Sequence, residues 1–471
     1  MPSPHPLELT EIISLVVRYL PHRSLPSCAR VSKAWYQACI PHIWHHIHLK
    51  KLPKSTALIH RHRHHVRRVS TGRMSQEHTA LRFTSLDFIQ IETQGHVQDV
   101  ETIQFIMDHP TATRLELRTL LSDRHPAFWD ALLRFHNLRA LTMSSLEIFG
   151  TNMDKFWQLC PRLERLVIRV HHHHLHINLP PGLYPNLKHL GVDGCDTKNV
   201  PFFMGFLRQC PHLTSIDWRT APAHEEGFVY GLTELLEAKA LPNLKHLNAG
   251  TRQIENVLFV RLVHNLPPRI NSLHISLSLD VLKMDFATLF RPYFSNLRVL
   301  TILTDMSAKS PLAQIIMSSC PLLEELAAPN VDALVVVEGA PWVCSRLKVL
   351  DLAFCFNPHN AVNQLQPLIF DRLSKLTRLE ELCMMGPSRR YNIGGTVDLR
   401  MTCGLGKLST LRLLRSVIIR GITLKMDDKE VDFILTYWKS LTMFSGKLNT
   451  LNEAFNEALE ERLKKGGIKI W

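Results

Sequence analysis

The chain has 471 residues, too many for one compact core, so we expect several domains or an elongated array. Hydrophobic residues make up 45% of it and charged residues 21%, which argues against a disordered, collagen-like or membrane-spanning chain. The net charge is +13, but residues 12–76 hold twelve Lys or Arg and nine His with no Asp or Glu. Basicity is therefore local to this segment and predicts an acidic partner there.

The start of the chain lacks the features of a secretion signal, because Glu8 and Glu11 stand where such a signal needs positive charge. No apolar run in the sequence is long enough to cross a bilayer. The ten cysteines include no C-x-x-C pair, which favours buried free thiols over disulfides or metal ligands. We expect a soluble protein of the cytoplasm, the nucleus or both.

The first fifty residues have apolar positions at three- and four-residue intervals, which predicts three short helices. The first helix ends at Pro21, the second is capped by Ser24 and continues through Trp35, and a third turn runs through Ile43 and Trp44. About forty residues cannot bury this many large side chains alone, so part of the surface must pack on something else.

At this point the sequence resembles the F-box proteins, in which a three-helix module docks on the Skp adaptor of an SCF ubiquitin ligase. The resemblance rests on LTEII at 9–13, YLP at 19–21, Leu25, VSKAW at 31–35 and PHIW at 41–44. Thr10 stands where the family usually has proline, and Ser32 where it often has cysteine. The resemblance implies ten adaptor-binding residues: Leu9, Ile12, Ile13, Val16, Leu20, Leu25, Val31, Trp35, Ile43 and Trp44. The alternative is that these helices only cap a repeat array.

Beyond residue 100 the unit x-L-x-x-L-x-φ recurs, where φ is apolar. It begins with NLRAL at 137–141 and continues at 162–166, 186–190, 212–216, 243–247, 270–273, 297–300, 323–326, 347–350 and 379–382, with weaker candidates at 411–414 and 441–444. Most steps fall within the roughly 20–29 residues of leucine-rich repeats. The leucines would face a shared interior, and the alternating residues of each short strand would face outward.

Several segments ahead of these units have helical spacing and end in Cys-Pro, at Cys160, Cys210 and Cys320. Proline stops such a helix, and the cysteine serves as a small buried apolar group. This punctuation resembles the repeats of F-box leucine-rich-repeat proteins, particularly fungal ones. Residues 449–465, with Leu451, Phe455, Leu459 and Leu463 at four-residue steps, predict an amphipathic helix that caps the last repeat.

The fold class predicted is therefore α/β, with an N-terminal trihelical F-box module followed by a leucine-rich-repeat solenoid (horseshoe). We place the F-box-like module at residues 1–48, a basic connector with the first irregular repeats at 49–110, the solenoid at 111–446, and the capping helix and tail at 447–471. The longer late steps predict inserted loops, including an exposed one at 387–395.

Other motifs carry little weight. Histidines 171–174 and His176 have spacing that can bind zinc, but they follow a predicted strand, and we expect a solvated loop without metal. The basic run 60–68 could serve nuclear import or nucleic-acid binding, but it lacks interleaved aromatic residues. No phosphate loop, nucleophile elbow or H-E-x-x-H motif is present. We expect neither an enzyme nor a cofactor.

The function predicted is that of a substrate receptor of an SCF-type ubiquitin ligase, with the Skp adaptor and cullin as partners and an unknown protein substrate held by the repeats. One alternative is a leucine-rich-repeat scaffold outside a ligase. Another, less favoured, is nucleic-acid binding through residues 50–73.

Overall fold

A computed structural model describes residues 10–51, 57–72, 76–96, 100–120, 126–143, 151–169, 182–195, 200–220, 226–277, 285–303, 310–328, 330–356, 362–385, 397–420 and 424–471. The chain divides into two compact units, residues 1–213 and residues 214–471. Both units are α/β, with parallel strands separated by helices or turns. The loop predicted at 387–395 and the histidines at 171–174 and 176 lie outside the described residues.

The first unit begins with three helices and continues into a sheet of parallel strands that pair in chain order. The helices described are α1 Thr10–Tyr19, α2 Leu25–Cys28, α3 Lys33–Trp44, α4 Ala57–His62, α5 Gln76–Thr79, α6 Val100–Met107, α7 Pro126–Leu133, α8 Thr151–Leu159 and α9 Val200–Arg208. The strands described are β1 His46–His48, β2 Arg68–Thr71, β3 Phe88–His96, β4 Arg114–Leu120, β5 Ala140–Met143, β6 Arg165–Arg169 and β7 His189–Cys195.

The second unit has the same plan. Its described helices are α10 Glu226–Glu237, α11 Asn256–Asn265, α12 Phe286–Phe290, α13 Leu312–Ser319, α14 Ala333–Glu338, α15 Val362–Ser374, α16 Asp428–Tyr437 and α17 Glu453–Lys465. Its main sheet contains β8 Ser215–Thr220, β9 His246–Ile254, β10 Ser272–Leu277, β11 Val299–Leu303, β12 Glu325–Ala327, β14 Val349–Asp351, β16 Glu381–Met385, β17 Ser416–Arg420, β18 Met443–Ser445 and β19 Lys469–Ile470. A small parallel pair is formed by β13 Val331–Asp332 and β15 Phe354–Cys355.

An apolar ladder runs through the strands of each unit at the second leucine position of the repeat. In the first unit the aligned residues are Ile47, Val69, Ile89, Leu115, Leu141, Leu166 and Leu190. In the second they are Ile216, Leu247, Leu273, Leu300, Leu326, Leu350, Leu382, Val417 and Phe444. All are buried, and each large side chain removed from water contributes about 1.5–3 kcal/mol.

The repeat units predicted from 137 to 382 therefore each supply one parallel strand. The weak candidate at 411–414 has the wrong phase: the first apolar position before β17 is Leu414, and Val417 joins the ladder. The ladder also starts earlier than the leucine pattern shows, with Ile47 and Val69 in β1 and β2.

The Cys-Pro punctuation predicted ahead of the strands is confirmed. Helices α8 and α13 end next to Cys160 and Cys320, whose side chains are buried. Cys210 follows α9 by two residues, and its thiol donates to the carbonyl of Phe206 at 3.2 Å. Burial raises the pKa of Cys210 and of Cys320 to about 12, so both thiols stay protonated at neutral pH.

The amphipathic helix predicted at 449–465 begins later than expected. Asn452 is its N-cap and accepts a hydrogen bond from the backbone N–H of Phe455 at 3.0 Å. Leu451 therefore lies outside the helix and is exposed, whereas Leu459 and Leu463 are buried. A further strand, β19, follows the helix and pairs with β18.

Candidate partner-binding surface in residues 10–50

The first three helices pack around a small core of their own. Ile13 and Val17, four residues apart on α1, are buried against Leu25 of α2 and Cys39 of α3. Residues at this spacing share one face of a helix, which explains why α1 turns this pair inward. The module therefore has an interior that does not depend on a partner.

The third helix differs from its predicted bounds. Helix α2 ends at Cys28, and Trp35 lies in α3 together with Ile43 and Trp44. Ser32 is the N-cap of α3, and its hydroxyl accepts from the backbone N–H of Trp35 at 3.3 Å. Serine is among the preferred capping residues, so it has a structural role at a position where the family often has cysteine. Ser24 precedes α2 without a side-chain capping bond.

A row of large apolar side chains on α1 is exposed to solvent. Leu15 is 57% exposed, Tyr19 is 83% exposed and Ile12 is 37% exposed. Their spacing of three and four residues places them on one face, away from the buried pair. Two further exposed apolar residues follow, Val31 between α2 and α3 at 69% and Tyr36 on α3 at 45%.

The ten residues predicted to bind the adaptor fall into distinct environments. Leu9 lies outside the described residues. Two of the others are exposed, Ile12 and Val31. Four are partly buried: Val16, Leu20, Trp35 and Ile43. Three are buried within this chain: Ile13, Leu25 and Trp44. A partner could touch the buried three only after the module rearranges, so their first role is to hold it together.

Three exposed residues were absent from the predicted set, namely Leu15, Tyr19 and Tyr36. Tyr19 belongs to the YLP motif at 19–21. A signal for Leu15 and Tyr19 was present, because Ile12, Leu15 and Tyr19 form a second apolar row on α1. Spacing alone does not tell which of two apolar rows on a helix faces inward.

The end of the module is continuous with the sheet of the first unit. Trp44 is the last residue of α3 and stacks on His62 of α4, with ring centroids 5.0 Å apart. The carbonyl of His45 accepts from the backbone N–H groups of Arg67 and Arg68 at 3.1 and 2.9 Å. Burial lowers the pKa of His62, and the nearby Arg61 and His64 lower it further. His62 is therefore held as a neutral ring against Trp44.

Beyond Glu11, the charged side chains of the module are all positive. Arg18, Arg23, Arg30 and Lys33 are all exposed. The sequence contains no acidic residue between Glu11 and Glu77 to offset them. Exposed apolar side chains thus lie in a positive field, which favours a partner that is acidic around an apolar contact.

Other kinds of site find little support in the described ranges. Within them, no group of three or more His, Cys, Asp or Glu residues could hold a metal ion. None of the helices there is long and apolar enough to cross a membrane.

A scan against known protein families matches residues 10–50 to the F-box-like family. A search of curated proteins found no match to the chain. The matched range covers α1 to α3 and the first strand, β1. The family match and the three-helix geometry together identify residues 10–50 as an F-box-like domain.

Proposed function

We propose that this protein is a substrate receptor of an SCF-type ubiquitin ligase. Its F-box-like domain would bind the Skp adaptor, and through it the cullin, while strand repeats of the leucine-rich type hold a protein substrate. The observation that carries the proposal is the F-box-like match at residues 10–50, on a module whose first helix exposes Ile12, Leu15 and Tyr19.

The exposed row on α1 supports a docking role on energetic grounds. Contiguous exposed apolar side chains mark contact sites more often than isolated ones do. Burying one large side chain fully contributes about 1.5–3 kcal/mol, so Leu15 and Tyr19 together could supply much of a stable contact. The four exposed cations of the module would speed association with an acidic adaptor.

The proposed receptor does no chemistry of its own. It raises the effective concentration of a substrate near the conjugating enzyme, which is a matter of proximity and orientation. Such a role places the protein in the cytoplasm, the nucleus or both. A repeat scaffold that never joins a ligase is the alternative, and it differs only in whether the F-box-like domain binds the adaptor.

Adaptor capture by matched variants tests the proposal. In the full-length chain, Leu15→Ser with Tyr19→Ala removes two exposed side chains from α1 without touching the core formed by Ile13 and Val17. Leu183→Ser with Tyr230→Ala is the control, because it makes the same changes at residues that are 66% and 51% exposed elsewhere.

We expect purified Skp adaptor to capture the wild-type chain and the control, and to lose the α1 variant by at least about tenfold in affinity. Circular dichroism should show the same helix content in all three proteins. Failure of the wild-type chain to bind would favour the scaffold alternative, and equal capture of both variants would show that the exposed row on α1 is not the docking surface.

A further inference from the structure

The outward face of the first unit's sheet carries a row of arginines on alternate strands. Arg68 of β2 aligns with Phe88 of β3, which aligns with Arg114 of β4. The same row continues through Ala140 of β5 to Arg165 of β6. Cationic and apolar side chains therefore alternate across five neighbouring strands.

These three arginines form no ion pair with an acidic residue in the described ranges. Arg68, Arg114 and Arg165 are exposed. Arg68 lies over the ring of Phe88, with its guanidinium carbon 5.2 Å from the ring centroid. Three cations along one row of a folded unit repel one another, and an anionic ligand would relieve that repulsion.

The acidic residues near the row are already engaged. Glu116 accepts from the guanidinium of Arg118 at 2.5 Å. Glu164 pairs with Arg139 at 3.1 Å and with Lys188 at 3.0 Å. Glu116 and Glu164 line the groove, but their ion pairs are with Arg118, Arg139 and Lys188 and not with the three arginines of the row.

The row lines a groove of about 670 Å³. Its floor includes the half-buried side chains of Phe88, Ala140 and Val167 between the arginines. Among the residues that line it, Phe88 alone is aromatic, and Arg68 already covers its ring. Binding to single-stranded nucleic acid relies on several open aromatic platforms, so the groove suits a polypeptide better.

The spacing of the arginines limits the shape of the ligand. Neighbouring strands lie about 4.8 Å apart, so arginines on alternate strands are about 10 Å apart and the whole row spans about 19 Å. A polyproline II segment advances about 3.1 Å per residue with three residues per turn, which is about 9.3 Å per turn. An acidic side chain at every third residue of such a segment would meet each arginine in turn.

We propose that this groove binds an acidic, extended segment of a partner protein, with carboxylates at three-residue intervals that pair with Arg68, Arg114 and Arg165. The inference rests on the proposed function in that it names the class of substrate segment that the receptor would take. Apolar side chains between the carboxylates would contact Phe88, Ala140 and Val167.

A labelled peptide, (Glu-Pro-Pro)₄, tests the groove by fluorescence anisotropy with the full-length chain. The comparison peptides are (Gln-Pro-Pro)₄, which lacks charge, and a peptide of the same composition with its four glutamates adjacent. The test variant changes Arg68, Arg114 and Arg165 to Gln. The control changes Arg269, Arg346 and Arg378 to Gln, which removes equal charge from exposed positions in the second unit.

We expect (Glu-Pro-Pro)₄ to bind more tightly than either comparison peptide, and the test variant to weaken it by about 10- to 100-fold while the control does not. Absent binding, or equal binding to both variants, would overturn the inference, as would binding of a dT₁₂ oligonucleotide in place of the peptide. Adaptor capture by the wild-type chain and by the test variant is measured alongside. If the wild-type chain binds the peptide but is not captured by the adaptor, the ligase role fails and the groove stands.

Discussion

The two units of this protein share one strand plan but differ in the row that faces outward from it. In the first unit that row carries Arg68, Arg114 and Arg165. In the second, the equivalent row on β8 to β19 reads Ser215, His246, Ser272, Val299, Glu325, Val349, Glu381, Ser416, Met443 and Lys469, with two glutamates, one lysine and no arginine. At the same repeat position, the first unit therefore carries three arginines, whereas the second carries two glutamates and a single lysine.

At a second repeat position, by contrast, the two units carry the same pattern of charges. The residue two places before the ladder residue carries paired charges in each: Arg139, Glu164 and Lys188 in the first unit, and Arg298, Glu324 and Lys348 in the second. Shared positions of this kind support the repeat itself. The outward row, where the units diverge, is where specificity for a partner would reside.

Substitutions in the apolar ladder should lower the free energy of unfolding more than any others, and by similar amounts in both units. Leu166→Ala and Leu350→Ala each remove a buried side chain from one ladder. Each should lower the free energy of unfolding of its unit by about 2–5 kcal/mol. Native-state hydrogen exchange, resolved by unit, measures this. Val167→Ala, on the outward face beside Leu166, is the control and should cost far less; equal losses would contradict the assignment of faces.

Acid should weaken the first unit through His109. The backbone N–H of Phe83 donates to its Nε2 at 2.9 Å, and its Nδ1–H donates to the carbonyl of Phe105 at 2.7 Å. Burial lowers the pKa of His109, against the weaker opposing effects of that carbonyl and of Asp108. A depressed histidine pKa gives stability that is present above the unfolded value of about 6.5 and is lost as pH falls towards the folded value.

Between pH 7.5 and pH 5.5, His109→Gln should therefore lose less stability than the wild-type chain. Chemical denaturation at the two pH values measures the difference. At pH 7.5 the variant should be less stable by about 1–3 kcal/mol, because glutamine replaces a fitted ring and the N–H of Phe83 needs an acceptor. Identical pH dependence in both proteins would show that another group controls acid unfolding.

The smallest effects should come from the charges that the units share. Glu164→Gln and Glu324→Gln each break two exposed ion pairs. Hydrogen bonds from Lys188 and Lys348 are the main causes that lower the pKa of Glu164 and of Glu324. Exposed pairs contribute about 0–1 kcal/mol and are screened by salt. Each variant should lose no more than about 1 kcal/mol of unfolding free energy at low salt, and less at 1 M NaCl. A larger loss in one unit would show that this repeat position does not play the same part in both units.

Much of the fold followed from the spacing of leucines, because each predicted unit from 137 to 382 supplies a parallel strand. Before residue 100 only irregular repeats within 49–110 were predicted, without positions for their strands, since Trp44, Val66 and Leu86 occupy the first apolar position and only one of these is leucine. The unit near 411 was placed three residues early because Leu411 and Leu414 are both leucine and both buried. Which of these two leucines takes the first apolar position depends on how β17 pairs with its neighbouring strands, and the sequence of a single unit does not determine that pairing.

The candidate site was predictable as a region and less so as a surface. Apolar spacing and the motif residues located the three helices within residues 10–50, and the family match agrees. Ile13 and Val17 face inward because they contact Leu25 and Cys39, which lie on other helices. The spacing within α1 does not contain that information. The arginine row could not be predicted at all, since Arg68, Arg114 and Arg165 come together only through strand register.

Hydrogen exchange of the full-length chain, with and without purified Skp adaptor, tests the central claim most directly. A receptor that docks through its F-box-like domain should show slowed exchange in α1 and in the segment from α2 to α3, with β4 to β6 unchanged. Exchange that stays the same throughout residues 10–50, or that slows only in the strands, would contradict the account.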